Sequence, residues 1–294
     1  MGRWVCVAAA GLLLAACGGT TSSASSTIDV VAGENFWGNL VAQLGGSKVS
    51  VQSVVTDPNA DPHEYESSTS DARAFAEARL VILNGAGYDD WGQKLLDANK
   101  SSHREVLNVA DIVGKKKGDN PHFWYNPAYV TQVADRITSS LKAIAGADAG
   151  YFDQQRSQLT TAFKPYMDEV ANIERSYSGV PIGATESIFA YMAATLGLNL
   201  TTPPEFMSAV AEGTDPPAGA VATFQSQISA NQIKALVYNV QASTAVTTNL
   251  KALATARGIP NVGVSETLQP DNVSFQDWQL KQLQELEVAL KSTG

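Results

Sequence analysis

Eight short apolar runs, set four and four about one long amphipathic stripe, constrain this chain more than any other feature of its sequence. In the first half they are IDVVAG from Ile28, VSVQSVV from Val49, RLVILNG from Arg79 and REVLNV from Arg104. In the second half they are VPIGAT from Val180, LNLTT from Leu198, ALVYNV from Ala235 and NVGVS from Asn261. Each is too short for a stable helix, and most are rich in β-branched residues, the mark of a buried strand. Helix-patterned segments separate them, among them Phe36 to Leu44, Ser70 to Ala78, Ala128 to Ile144, Gly219 to Ala230 and Ala245 to Ala256. Alternation of this kind builds parallel sheets from βαβ units. The stripe runs from Asp148 to Tyr177, where Phe152, Leu159, Phe163, Tyr166, Val170, Ile173 and Tyr177 recur at helical spacing. That is one face of a long helix, packed against a core, with a bend predicted at Pro165, which lacks a backbone donor. The fold class read from this pattern is α/β. Two lobes, 28–147 and 179–294, each a mainly parallel sheet flanked by helices, are joined by a long rigid connecting helix over 148–178. No sequence repeat relates the halves.

The amino terminus reads as an address outside the cytoplasm. MGRWVCVAAAGLLLAAC carries one positive charge, Arg3, and then an apolar run that is too short to span a bilayer. LAAC, Leu14 to Cys17, resembles the bacterial lipobox, so residues 1–17 read as a lipoprotein signal ending at a lipidated Cys17. An ordinary signal peptide with an incidental cysteine is the alternative. GGTTSSASST then makes a flexible tether over 18–27. Cys6 would be removed with the signal and Cys17 occupied by lipid, so no disulfide and no thiolate metal site is expected. The formal charge of −9 becomes more negative when Arg3 is lost. Such a domain repels phosphate and is not expected to bind nucleic acid.

Signatures of catalysis are missing from the sequence: no HExxH, GxSxG, GxxxxGK, or GxGxxG after a strand. A Ser/His/Asp triad or a pair of carboxylates can always be assembled on paper, but no local motif supports one. Histidine is more informative, because the chain has three. His63 in ADPHEYE and His122 in DNPHFWYNP both follow a proline, and both lie beyond strands of the first half, where open α/β sheets present ligand-binding loops. Two imidazoles on separate loops make half a site for a borderline transition ion, with carboxylates to complete it. They also read as two turn histidines on the surface. Pro62 and Pro121 restrict the backbone before each imidazole, and Phe123, Trp124 and Tyr125 offer apolar walls. Asp61, Glu64 and Glu66 flank His63, either orienting its second nitrogen or simply solvated. His103, in KSSHREV, has polar neighbours and reads as a solvated surface residue.

Taken together, DPNADPHEYESSTSDARAFAEARLVILNGAGYDDWGQKLL, NPHFWYNP, GATESIFAYMAATLGL and VSETLQP resemble the solute-binding lipoproteins of bacterial zinc and manganese ABC importers, the cluster A metal-binding family. The resemblance covers Ile28 to Leu290. It implies a ligand set of His63, His122, Glu186 and Glu266, two from each side of the long helix. Glu186 stands in TESIFAY, where many members have histidine. Glu266 stands in VSETL, where members often have aspartate, and Asp271 is the nearby alternative. Two neutral imidazoles and two carboxylates would neutralise a dication. The resemblance further implies a monomer, lipid-anchored at Cys17 on the cell membrane, that delivers zinc or manganese to a membrane ABC permease and catalyses no reaction. The long helix would limit hinge closure, so capture would use local loop rearrangement. The stretch before His122, VGKKKGDN, lacks the His-rich acidic loop of zinc-specific members, and Glu186 adds a hard oxygen that favours manganese; the affinity order still favours zinc. A lipid-anchored adhesin or a glycosidase-like surface hydrolase is the rival reading.

Overall fold

The computed structural model describes residues 1–2, 4, 27–59, 65–270 and 272–292. Cys17, His63 and Asp271 therefore lie outside the described residues, as does most of the stretch expected to be signal and tether.

All eight expected strands form, and they sort into two sheets. In the first half β1 (Ile28–Glu34), β2 (Val49–Val55), β3 (Leu80–Leu83) and β4 (Glu105–Asn108) lie in the order β2-β1-β3-β4, every pair parallel. In the second half β5 (Pro181–Ala184), β6 (Asn199–Leu200), β7 (Leu236–Asn239) and β8 (Asn261–Val264) lie in the order β6-β5-β7-β8, again all parallel. Both sheets thus follow one topology, with the first strand inside and the second outside. The halves are repeats in space although the sequence shows none.

Helices make the parallel crossovers. The first half holds α1 (Asn35–Gly45), α2 (Thr69–Glu77), α3 (Asp90–Ala98), the one-turn α4 (Val109–Ile112) and α5 (Pro127–Ile144). The stripe forms α6 (Ala149–Ala162) and α7 (Lys164–Tyr177). The second half adds α8 (Ala190–Thr195), α9 (Pro204–Ala211), α10 (Ala218–Ser229), α11 (Ala245–Ala256) and α12 (Phe275–Lys291). Local chemistry sets several of their starts. Ser68 and Asp71 form a capping box on α2, Thr244 and Thr247 another on α11, and Asn126 caps α5 with Pro127 at its first turn. Among the described residues no helix is long and apolar enough to cross a membrane.

The connecting stripe buries the face its spacing predicts: Phe152, Leu159, Phe163, Tyr166, Val170 and Ile173 are all buried and Tyr177 is half-buried. It is interrupted at Phe163, two residues before Pro165, which cannot donate to the carbonyl one turn earlier. The break has a location with meaning. The α6 piece packs on α1 and α5 of the first lobe, whereas α7 packs on α12 of the second. One buried apolar cluster runs through both lobes, and within it the rings of Phe36, Trp124, Tyr125, Trp278, Phe275 and Phe163 form a continuous chain.

A row of amides reinforces this junction. Asn35, Asn39 and Gln43 sit four residues apart on one face of α1. Asn35 donates to Leu268 O and accepts from Leu268 N at 3.1 and 2.9 Å. Asn39 does the same with Val273 O and Phe275 N at 3.2 and 2.9 Å, and Gln43 pairs reciprocally with Gln276. Each side chain imitates a strand edge and so holds Leu268 and the stretch 273–276 against the first lobe. Asn39→Ala leaves a partly buried carbonyl and amide without that partner and is expected to lower metal-free stability by about 2 kcal/mol, read as a shifted denaturant midpoint at unchanged slope.

Candidate metal centre

Loops at the carboxyl ends of strands meet between the sheets, where open α/β folds place ligands. Beyond β4 and α4 the chain reaches His122; Glu186 lies two residues past β5, and Glu266 two past β8. These three side chains are at most 1% exposed. One ligand atom from each lies within 4.8 Å of the others. His122 Nε2 stands 3.7 Å from Glu186 Oε1 and 3.9 Å from Glu266 Oε2, too long for hydrogen bonds. Ligands about 2.1 Å from a tetrahedral zinc ion would be about 3.4 Å apart. The two histidine–carboxylate separations are thus within a few tenths of an ångström of what such an ion needs.

Each member is held by a neighbour of its own. The Asn120 side-chain oxygen lies 2.7 Å from His122 Nδ1 and accepts from the His122 amide at 3.1 Å. An amide oxygen can only accept, so Nδ1 carries the hydrogen and Nε2 turns its lone pair toward the carboxylates. The Asn120 amide in turn donates to Ser187 O across the lobes at 2.8 Å. Asn120→Ala should release the imidazole and weaken zinc binding roughly tenfold to a hundredfold without unfolding the chain, measured by competition with a fluorescent chelator. Tyr88 donates to Glu266 Oε2 at 2.7 Å and Ser187 to Glu186 Oε1 at 3.0 Å. Asn239, the last residue of β7, reaches both carboxylates, with its amide nitrogen 3.1 Å from Glu186 Oε2 and 2.6 Å from Glu266 Oε1.

Tyr88 is presented by a strained turn. Gly85, Ala86 and Gly87 all have positive φ, 76°, 58° and 96°, and Ala86 is the one of the three whose Cβ is penalised there. The Asp89 carboxylate pins the turn by accepting from Asn84 N at 2.6 Å and Gly85 N at 2.8 Å. Burial raises the Asp89 carboxyl above its usual range despite those donors. Glu34 beside it is raised further, by burial and then by the charge of Asp89. The Asn84 side chain links this turn to the histidine loop by donating to Pro121 O at 2.9 Å.

Burial, and then the charge of Glu266 beside it, push the Glu186 carboxyl up to about 8. Two carboxylates in a dry cleft resist being ionised together, and a cation there removes the conflict. A cavity of ≈ 460 Å³ opens between the lobes next to them. Tyr88, Asn120 and Ser187 line it, and each is bonded to one of the three clustered side chains.

Of the residues expected from sequence, the structure brings together His122, Glu186 and Glu266, whereas His63 and Asp271 lie outside the described residues. His103 and Glu66 are exposed. Phe123, Trp124 and Tyr125 are fully buried, and Tyr125 does more than line a wall. Its hydroxyl lies 2.9 Å from Ser265 O and 2.8 Å from Gln282 Oε1, which fixes the residue before Glu266 to the other lobe. Asn239, Tyr88 and Asn120 received no role from sequence. Asn239 closes ALVYN at the end of β7, and a strand-ending asparagine carries no signal of its own.

The family model described as "ZnuA: Zinc-uptake complex component A periplasmic" matches residues 30–289. The metal ABC transporter substrate-binding lipoprotein FimA of Streptococcus parasanguinis is 25% identical over 204 residues, 63% of this chain and 65% of its own. The manganese ABC transporter substrate-binding lipoprotein PsaA of Streptococcus mitis is 24% identical over 211 residues, 64% and 66% respectively. The chain thus spans slightly less than two thirds of the length of these relatives. The solved periplasmic zinc binding protein TroA from Treponema pallidum superposes with a TM-score of 0.76 at 15% identity, covering 90% of this chain and 99% of that one. At such identity the likeness is one of fold. It is the family match, running through both lobes, that places the sequence: the chain belongs to the ZnuA family of periplasmic zinc-uptake components.

Proposed function

We propose that this chain captures a divalent transition metal, zinc or manganese, outside the cytoplasm and delivers it to a membrane ABC permease. The observation that carries the reading is a fully buried imidazole facing two buried carboxylates from the opposite lobe. His122 would bind as the neutral imidazole through Nε2, Glu186 and Glu266 through one oxygen each, and His63 as the fourth ligand. The ion is cargo and no reaction is catalysed. Loading removes the proton that Glu186 holds in the metal-free protein near neutral pH, so binding weakens as pH falls below about 8. The cavity lined by Tyr88, Asn120 and Ser187, each bonded to one of these ligands, would lead the ion toward them.

Lipid attachment at Cys17, a monomeric state and lobes bounded at 28–147 and 179–294 belong to the same reading. It is supported by relatives that are themselves named metal ABC transporter lipoproteins. Metal analysis and titration calorimetry on the chain lacking residues 1–17, beside its His63→Ala/His122→Ala variant, test it. The expected result is one ion per wild-type chain and none retained by the variant. Equal binding by both, or none by either, would refute it.

A further inference from the structure

Asn239 occupies a position that geometry makes unusual. Its side-chain orientation is settled by its partners: the oxygen accepts from Gln241 N at 2.9 Å, which leaves the NH₂ group facing the two glutamates. That group has two hydrogens, and one goes to each carboxylate. The oxygens it takes are Glu186 Oε2 and Glu266 Oε1. The other two, Glu186 Oε1 and Glu266 Oε2, each accept one hydrogen bond, from Ser187 and Tyr88, and are the ones on the histidine side, 3.7 and 3.9 Å from His122 Nε2, whereas Asn239 holds its pair away from that side. Asn239 is 2% exposed, so water does not compete for its hydrogens. Gln241 extends the brace by accepting from Glu266 N at 2.8 Å and Thr267 N at 3.0 Å.

We propose that Asn239 restricts both carboxylates to one coordinating oxygen each and thereby biases the site toward a four-coordinate cation over one that needs six ligands. With the outer oxygens tied back, Glu186 and Glu266 supply two ligand atoms rather than four. The His122 nitrogen makes three, so a single further ligand completes a tetrahedral set, which suits zinc; manganese is best served by more oxygens in octahedral array. Asn239 touches no ion and acts through the carboxylates as a positioning residue. A purely structural residue would weaken every metal alike when removed, whereas this one changes the ratio between metals.

The inference rests on the metal-capture reading, and one experiment separates the two. Zinc and manganese affinities are measured by chelator competition on wild type, Asn239→Ala and Asn239→Leu, with X-ray absorption at both metal edges. Asn239→Leu keeps side-chain volume while removing the donated hydrogens and adds neither a charge nor an oxygen that could ligate, so it carries the test should the alanine variant fold poorly. The expected result is a zinc-to-manganese affinity ratio at least tenfold lower in the variants, with more oxygen neighbours around the ion than the roughly four-ligand shell of wild type. An unchanged ratio, whether affinities hold or fall together, overturns the role of Asn239 and leaves metal capture standing. Absence of binding by wild type overturns the metal-capture reading itself and this inference with it.

Discussion

Replacing His122 by alanine is expected to lower zinc affinity by well over a hundredfold while the chain still folds. Loss of a residue that merely orients a ligand costs tenfold to a hundredfold in such sites, and a ligand contributes more. His122 is 0% exposed, and its Nε2 is the nitrogen that faces both carboxylates. Its ring packs edge-on to Trp124 at 5.2 Å, and Trp124 itself remains stacked on Phe36 at 4.1 Å. The core beneath the site therefore persists in the variant. The difference appears in ligand linkage. Zinc at about a thousand times its dissociation constant adds about 4 kcal/mol to wild-type stability. The same zinc concentration should leave His122→Ala with almost none of that gain, read as a melting temperature that no longer responds to zinc.

Removing the charge conflict has the opposite sign on the metal-free protein. Glu186 is raised from 4.5 to about 8 in the fold, by burial first and by Glu266 second. A raised carboxyl gives stability that is fully present below its unfolded value and is lost as pH climbs through the folded one. Each pH unit within that window is worth about 1.4 kcal/mol. The loss therefore begins near pH 4.5, reaches about 3 kcal/mol at pH 7 and is complete just above 8. Glu186→Gln has no proton to lose. Its metal-free form should be more stable than wild type by about 3 kcal/mol at pH 7 and equal to it near pH 4.5, by urea unfolding across pH. Glu34 and Asp89 are raised by burial as well, so the quantity to read is the difference between wild type and variant at each pH. In saturating zinc the order reverses: the wild-type pair is neutralised by the ion and the variant has lost a ligand. A site that destabilises its own empty fold is one kept for what it binds.

Much of this architecture was legible because hydrophobic periodicity survives without tertiary information. The runs at Ile28, Val49, Leu80 and Val106 alternate with helical faces at Phe36 and Val130, and that alternation specifies βαβ units directly. The common sheet order of the halves was not legible, because parallel pairing is set by backbone hydrogen bonds, and β6 contributes only Asn199 and Leu200 to match against β2. His122 stood out by scarcity and by its proline, and Glu186 and Glu266 by motif. Asn239 did not, since an asparagine ending a strand is common and its role depends on Glu186 and Glu266, distant in sequence, converging on one amide. The amide row on α1 was hidden for the same reason. Asn35, Asn39 and Gln43 look like a solvated helix face until Leu268, Val273 and Gln276 are laid against them.

The central claim is that His122, Glu186 and Glu266 close together on one divalent cation. Equilibrium dialysis against buffered submicromolar zinc, followed by elemental analysis, tests it on wild type and on a His122→Ala/Glu186→Gln double variant. One zinc ion per wild-type chain and none in the variant is the predicted result. Zinc retained equally by the variant, or absent from wild type, would contradict the account.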